Sequence, residues 1–394
     1  MLIVLPRFAI VLCLALLVGG CALGPQQLTS SRMAYNDAVQ VTEQRELLLN
    51  IVRLRYLETP EFLAINGISS QFELDSSVML GGEFDGDGDL ALVQPQAQLS
   101  FAERPTITFT PQQGPEFTRQ LIAPIGPETL YHLIEYGWGI ERIFNLAVRQ
   151  INAVGAPIGV ARESTGGAGS SELRHIIGTL AQWQRQGHIA LRLTQGYEPV
   201  SPRLSANQIA GTDVVDAAKE GYRLQANDDG YVLARKMYRM TLNLGDAFGR
   251  TPAWQELAHR LGLAPDRRSY AIDMASEQIQ DDVQKADTLY LATRSPLGIM
   301  AHLAQGVAVP AIDLERHEVA DAEASSRPPF TIISSPEKPS NAYLGVQHRG
   351  HWFYLAGDDL ESRRSLGALI SLLRLELSAG GSQNLPVLTL PVGQ

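Results

Sequence analysis

The chain has 394 residues and only two cysteines, Cys13 and Cys21, both close to its N-terminus. No cysteine pair remains downstream to form a disulfide, so the folded part must be held by its core. Lysine is almost as scarce: Lys219, Lys236, Lys285 and Lys338 are the four in the chain. The net charge is −10 with no basic block. That removes the electrostatic footprint of a nucleic-acid binder and the polybasic patch that anionic lipid attracts. Past residue 20 no apolar run approaches the roughly 18 residues that cross a bilayer as a helix. Gly-x-Ser-x-Gly, Gly-x-x-x-x-Gly-Lys, Gly-x-Gly-x-x-Gly and His-Glu-x-x-His do not occur. A nucleophile elbow, the usual phosphate cradles and the helical zinc-peptidase site are therefore not written here. No repeat of fixed period is visible.

What is present begins at the N-terminus. Arg7 is the single charge in the first 20 residues, Phe8 to Val18 is apolar, and Gly19-Gly20 precede Cys21. A positive start, a short apolar run and small residues at the end have the layout of a secretory signal. Val18-Gly19-Gly20-Cys21 resembles the lipobox of bacterial lipoproteins. The resemblance implies cleavage between Gly20 and Cys21 and acylation of the Cys21 thiol. Three acyl chains would hold the protein permanently, because each buried methylene contributes about 0.8 kcal/mol. Ala22, where aspartate would favour the inner membrane, implies the outer membrane and a periplasmic face. With Arg7 removed, the mature chain is one unit more acidic.

The rest of the chain, still large enough for roughly two or three domains, divides by period and punctuation. Residues 21–31 read as the acylated cysteine and a polar tether. Residues 32–160 open with a helix, Arg32 to Leu57, carrying Leu47, Leu48, Ile51, Val52 and Leu54 at helical spacing. The period then changes to two, and Phe72-Leu74, Val78-Leu80, Leu90-Val93, Ala97-Phe101 and Thr106-Phe109 predict an antiparallel meander. Helices follow over Phe117 to Ile122, Glu128 to Tyr136 and Ile140 to Val154. Ala161 to Gly169 reads as a boundary loop.

Residues 170–317 read as mixed: a helix capped by Ser170 or Ser171, a strand at Ile189 to Leu193, and a polar irregular stretch from Thr194 to Ala218. Next come a hairpin across Asn227-Asp228-Asp229-Gly230, a helix at Pro252 to Leu261, a strand at Ser269 to Ile272 and a helix opened by Ser295-Pro296. Residues 329–394 read as a ββαβ-like module. Its strands are Phe330-Ile333, Tyr343-Gln347 and Trp352-Leu355. A helix follows, capped by Asp358 with Glu361, and then a last strand at Val387-Leu390. The fold class expected is α+β: a long N-terminal helix and meander, central helices, and a small C-terminal antiparallel sheet with a packed helix.

Asp85-Gly-Asp87-Gly-Asp89 starts like a calcium loop, but the sixth and twelfth positions are Leu90 and Gln96 instead of glycine and glutamate. A solvated hairpin turn is the better reading, with Asp85, Asp87 and Asp89 kept as weak metal ligands. His348 and His351 share a predicted turn without a partner carboxylate in reach of the sequence pattern. Ser335-Pro-Glu-Lys338 matches Ser-x-x-Lys by letter but lies on a Pro-rich loop. Alternation puts Phe353 on one strand face and Trp352 with Tyr354 on the other. Trp352 and Tyr354 are then either a contact surface or covered by a neighbouring element.

Leu48 to Tyr56, Pro105 to Thr110, Thr293 to Ile299, Arg349 to Tyr354 and Pro386 to Gly393 together are similar to a family of Gram-negative outer-membrane lipoproteins whose activity is uncharacterised. The resemblance implies location and no activity, cofactor or catalytic residue. The sequence thus leads to the expectation of a lipid-anchored, non-enzymatic binding or assembly component of the envelope. Its expected partners are the membrane, through the acyl chains, and another envelope protein, with no nucleic acid and no cofactor. The alternatives are an anchored hydrolase acting on glycan or peptidoglycan, and display at the cell surface as an adhesin.

Overall fold

The computed structural model describes residues 23–84, 90–155, 168–227, 230–275, 285–319 and 330–378. Cys21 and the expected cleavage site at Gly20, the Asp85, Asp87 and Asp89 segment, most of the Ala161 to Gly169 loop, and the expected strand at Val387-Leu390 lie outside the described residues. The fold is α+β with a small antiparallel sheet near the C-terminus. Two compact units divide it: residues 61–115, and residues 1–60 with 116–394.

The smaller unit is one hairpin. Strand β1, Leu63–Phe84, and strand β2, Leu90–Pro111, are 22 residues each and pair antiparallel along their whole length. The five short runs expected as a meander are pieces of these two strands. The Asp, Gly and Pro residues between the runs, Asp75, Gly81-Gly82, Pro95 and Pro105, read as strand ends in the sequence, but the ladder runs through them. Proline fits such a ladder where its nitrogen faces away from the partner strand.

The larger unit opens with helix α1, Leu23–Arg55. It starts earlier than expected, so residues 23–31 are helix and not an extended tether. Among its residues Leu47, Leu48, Ile51 and Val52 are buried, the stripe that the 3.6-residue period requires. Helices α2, Pro115–Ile122, and α3, Pro127–Leu133, follow, with Pro127 at the first helical position and a further turn over Ile134–Trp138. Helix α4, Ile140–Ala147, is half the length expected. The chain leaves it as strand β3, Val148–Ile151, followed by the short β4, Val154–Gly155. The guanidinium of Arg294 bonds the carbonyls of Leu146 and Val148 at 3.1 and 2.7 Å, and its backbone N–H bonds Ala147. These bonds take the carbonyls that another helical turn would need.

Helix α5, Ala168–Arg185, leads to strand β5, Ile189–Pro199, then helix α6, Gly211–Lys219. Most of the stretch expected to be irregular, Thr194 to Ala218, is therefore strand and helix. Strands β6, Tyr222–Asn227, and β7, Gly230–Leu244, form the expected hairpin. Helix α7, Pro252–Arg260, is capped by Thr251, whose hydroxyl accepts from Trp254 N. Strand β8, Ser269–Met274, pairs parallel with β9, Thr288–Thr293. Helix α8, Pro296–Leu303, has the expected Ser295 cap, at 3.1 Å from Gly298 N. Helix α9, Ala311–Glu315, is a single turn.

The main sheet runs β4-β3-β9-β8-β7-β5, with β6 also on β7. Helices α4 and α5 lay Ile140, Phe144 and Leu180 on one face, against Ile151, Leu242 and Leu289. Strand β9 is buried at all six residues, so both of its faces are covered.

The small sheet has the order β10-β12-β11, from β10, Ile333–Ser335, β11, Ala342–His348, and β12, His351–Ala356. Its first strand starts later than expected, because Ile332 instead bridges Val307. Helix α10, Leu360–Ser378, buries Leu366, Leu369, Leu372 and Leu373. The capping residue is Asp359, not Asp358. Its carboxylate accepts from Ser362 N at 3.0 Å and from Ser362 Oγ at 2.6 Å, while Glu361 reaches Arg142. Segments read from sequence as separate regions interleave here: β11 packs on α1, and α10 packs on α3, α4 and α8.

Candidate functional site

Four residues other than glycine hold positive φ among the described residues: Leu57, Asn152, His317 and Arg349. Such conformations cost free energy and gather where the surrounding structure needs them. Three of the four meet at one cluster.

Helix α1 ends in a Schellman motif with Leu57, φ 61°, in the place glycine usually takes. Glu58 N bonds Arg53 O at 2.9 Å and Leu57 N bonds Leu54 O at 3.2 Å. The reversal leaves Leu57 88% exposed and sends Glu58 back toward the helix. Helix α9 ends in the same motif, with His317 at φ 56° and Glu318 N on Asp313 O at 3.0 Å. Arg349 and Gly350 both have positive φ, as a two-residue turn between β11 and β12 requires.

These three turns present their charges to each other. Arg349 donates to Glu58 at 3.0 and 2.9 Å and to Glu318 as well. Its guanidinium lies 4.9 Å from the centre of the Tyr56 ring. Beneath it Tyr56 Oη donates to Asp313 Oδ2 at 2.6 Å, and Asp313 is buried. The rings of His348 and Phe353 stand edge-on to Tyr56 at 5.4 and 6.0 Å. Burial first, and the Asp313 carboxylate second, push the Tyr56 hydroxyl well above its ordinary range. Tyr56 is thus a fixed donor, not a base or nucleophile. His348 has the carboxylate partner that the sequence did not show: Nε2 is 3.3 Å from Glu58 Oε2, although the two do not line up as a hydrogen bond. Burial lowers the His348 pKa below its ordinary value against the pull of Glu58.

A base lowered in this way favours folding above its ordinary value of 6.5 and loses that contribution as pH falls through the folded value. His348→Gln is therefore expected to flatten the acid limb of a stability–pH curve. An unchanged slope between pH 7 and pH 5 would show that other groups set the limb.

The cluster ties α1, α9 and the β11–β12 turn together. The apolar cavity beneath α4 and α5 is lined by Ile, Leu and Phe alone, with no polar group to orient a substrate. Among the described residues no three His, Cys, Asp or Glu side chains stand close enough to hold a metal ion. Trp352 and Tyr354 are half-buried beside a fully buried Phe353, and Lys338 Nζ sits 5.7 Å over the Trp352 ring. Ser335 accepts from Glu337 N at the end of β10, away from any helix start.

The second feature with a functional shape is the hairpin. Pairing sorts its residues into two faces, because opposite residues of an antiparallel pair share a side. Leu74, Val78 and Leu80 lie opposite Phe101, Ala97 and Pro95 on one face. Glu73, Asp75 and Ser77 lie opposite Ala102, Ser100 and Gln98 on the other. The alternation was legible in the sequence; the register that brings the two strands' apolar positions to the same side was not.

Set against models of protein families, curated proteins and solved structures, the chain matches none.

Proposed function

We propose that this protein is a non-enzymatic assembly component of a Gram-negative envelope, held at the outer membrane through an acylated Cys21 and facing the periplasm. The observation that carries the reading is the β1–β2 unit. Its two strands pair only with each other among the described residues. A two-stranded ribbon is marginal in water, and independent stability takes a third strand or a helix on its apolar face. A hairpin of this length with open edges fits a protein that is completed by what it joins. The lipobox supplies the location, and the charge cluster gives the larger unit a rigid frame without a reaction centre.

The test is co-purification of the full-length protein from crosslinked envelopes in mild detergent, with Cys21→Ser as control. The expected result is a defined assembly that forms with the wild type and is lost with Cys21→Ser, together with complete loss of acyl labelling in that variant. Continued labelling of Cys21→Ser would remove the anchor. A wild-type protein recovered alone and monomeric would remove the assembly role.

A further inference from the structure

The hairpin carries more than open edges. From Leu74 to Phe84 on β1 and from Leu90 to Phe101 on β2, the apolar face contains no charged residue. Opposite pairs along it are Leu74 with Phe101, Ser76 with Leu99, Val78 with Ala97, Leu80 with Pro95, Gly82 with Val93 and Phe84 with Leu90. Phe72 and Phe101 border the band at one end and Phe84 at the other, and Glu103, opposite Phe72, lies beyond it. The other face holds Glu73, Asp75, Ser77, Glu83, Gln94, Gln96 and Gln98, with Met79 and Leu92 as its larger apolar residues. Where exposure is described on this face, Leu63, Ile107 and Phe109 are 49%, 42% and 54% exposed, and Ile65 and Ile68 are half-buried.

The length of the band names its environment. At about 3.3 Å per residue, Leu74 to Phe84 rises about 33 Å along the strand. Tilted by about 40°, as barrel strands are, it spans about 25 Å, the height of the outward apolar band of such barrels. The hydrocarbon core of a bilayer is about 30 Å thick. Apolar residues on one face, polar residues on the other and aromatic residues at both borders are the pattern of a strand pair facing lipid outward and water inward. In lipid every backbone N–H and C=O must be paired, so a spanning ribbon must close into a barrel with no free edge. One copy supplies two strands, and copies of the same chain supply the rest by joining β1 of one to β2 of the next. Pro95 and Pro105 take two donors from the outer edge of β2, which discourages indiscriminate edge pairing in water.

We infer that strands β1 and β2, Leu63–Phe84 and Leu90–Pro111, form one two-stranded stave of a transmembrane β-barrel assembled from copies of this chain, with the face of Val78 and Leu80 toward lipid and the face of Ser77 and Asp75 toward an aqueous lumen. This deepens the assembly reading above and rests on its envelope location. At least about four copies are needed, since the smallest such barrels have about eight strands.

The test uses the full-length lipidated protein reconstituted into phosphatidylethanolamine–phosphatidylglycerol vesicles loaded with a small dye. The mature chain has no free thiol under the lipobox reading, so single cysteines at Ser76, Ser77, Val78, Met79, Leu80 and Gly81 report cleanly. A water-soluble maleimide is expected to label positions 77, 79 and 81 and to spare 76, 78 and 80, while the wild type releases dye. Val78→Lys, with its charge in the band, is expected to lower dye release about thirtyfold or more, and Ser77→Lys to leave it within a few-fold. Uniform labelling, or alternation without dye release, would overturn the stave. If crosslinked envelopes still yield an anchor-dependent partner in that case, the assembly role stands and the barrel alone falls.

Discussion

Asn152→Ala is expected to lower the unfolding free energy by about 3 kcal/mol, because it strips one buried turn of its side-chain bonds at once. Asn152 lies between β3 and β4 with φ 50°. Its Nδ2 donates to Leu261 O at 2.5 Å and its Oδ1 accepts from Tyr290 N at 2.7 Å. Its own N–H bonds Tyr290 O, and its carbonyl accepts from Gln150 Nε2. Truncation leaves Tyr290 N and Leu261 O without the side-chain partner they had inside the protein. It also puts alanine where φ is positive, which asparagine tolerates better. Asn152→Gly separates the two effects. It removes the strain but not the lost bonds, and should recover about 1 kcal/mol. Urea unfolding of the three proteins measures this. A loss under 1 kcal/mol for alanine would mean that water replaces the side chain.

Tyr56→Phe is expected to cost about 2–3 kcal/mol at neutral pH, because it leaves the buried Asp313 carboxylate without its phenolic donor. The variant also has a pH signature. Tyr56 is raised above its ordinary 10.0, first by burial and then by the bond to Asp313. In the unfolded chain the phenol ionises near its ordinary value, while the folded protein holds the proton. The stability that comes from this is complete below about pH 10 and drains as pH rises toward the folded value. The variant should therefore show a flatter alkaline limb than the wild type. Equal slopes above pH 10 and equal stability at pH 7 would together mean that the Tyr56–Asp313 bond contributes nothing.

Local signals carried the parts of the fold that local physics decides. The stripe of Leu47, Leu48, Ile51 and Val52, the Ser295-Pro296 cap and the His348–His351 turn are all short-range patterns, and each lies where the sequence put it. Strand β9 escaped because it is buried on both sides, so Thr288–Thr293 shows no alternation. The end of α4 escaped because Arg294, far along the chain, decides where its last carbonyls go. The charge cluster was invisible for the same reason. Tyr56 and Asp313 are 257 residues apart, and Glu58 and Arg349 are 291 apart. Its Schellman turns use leucine and histidine, so the glycine that usually marks such a turn in a sequence is missing. Asp85, Asp87 and Asp89 had a motif to be tested, whereas the hairpin's apolar face needed the pairing of two strands to appear.

The distance from Glu58 to Arg349 also sets a timetable. At about 5–20 residues per second, a ribosome reaches Arg349 about 15–60 s after Glu58. For most of that interval α1 has neither α8 nor β11 packed against it, and its buried residues Leu48, Ile51 and Val52 lack that cover. The nascent chain therefore carries an open apolar helix face for most of its synthesis, a binding site for chaperones that hold chains unfolded. The clasp can close only once Arg349 of the 394 residues has arrived, so this part of the native structure forms when most of the chain has been made.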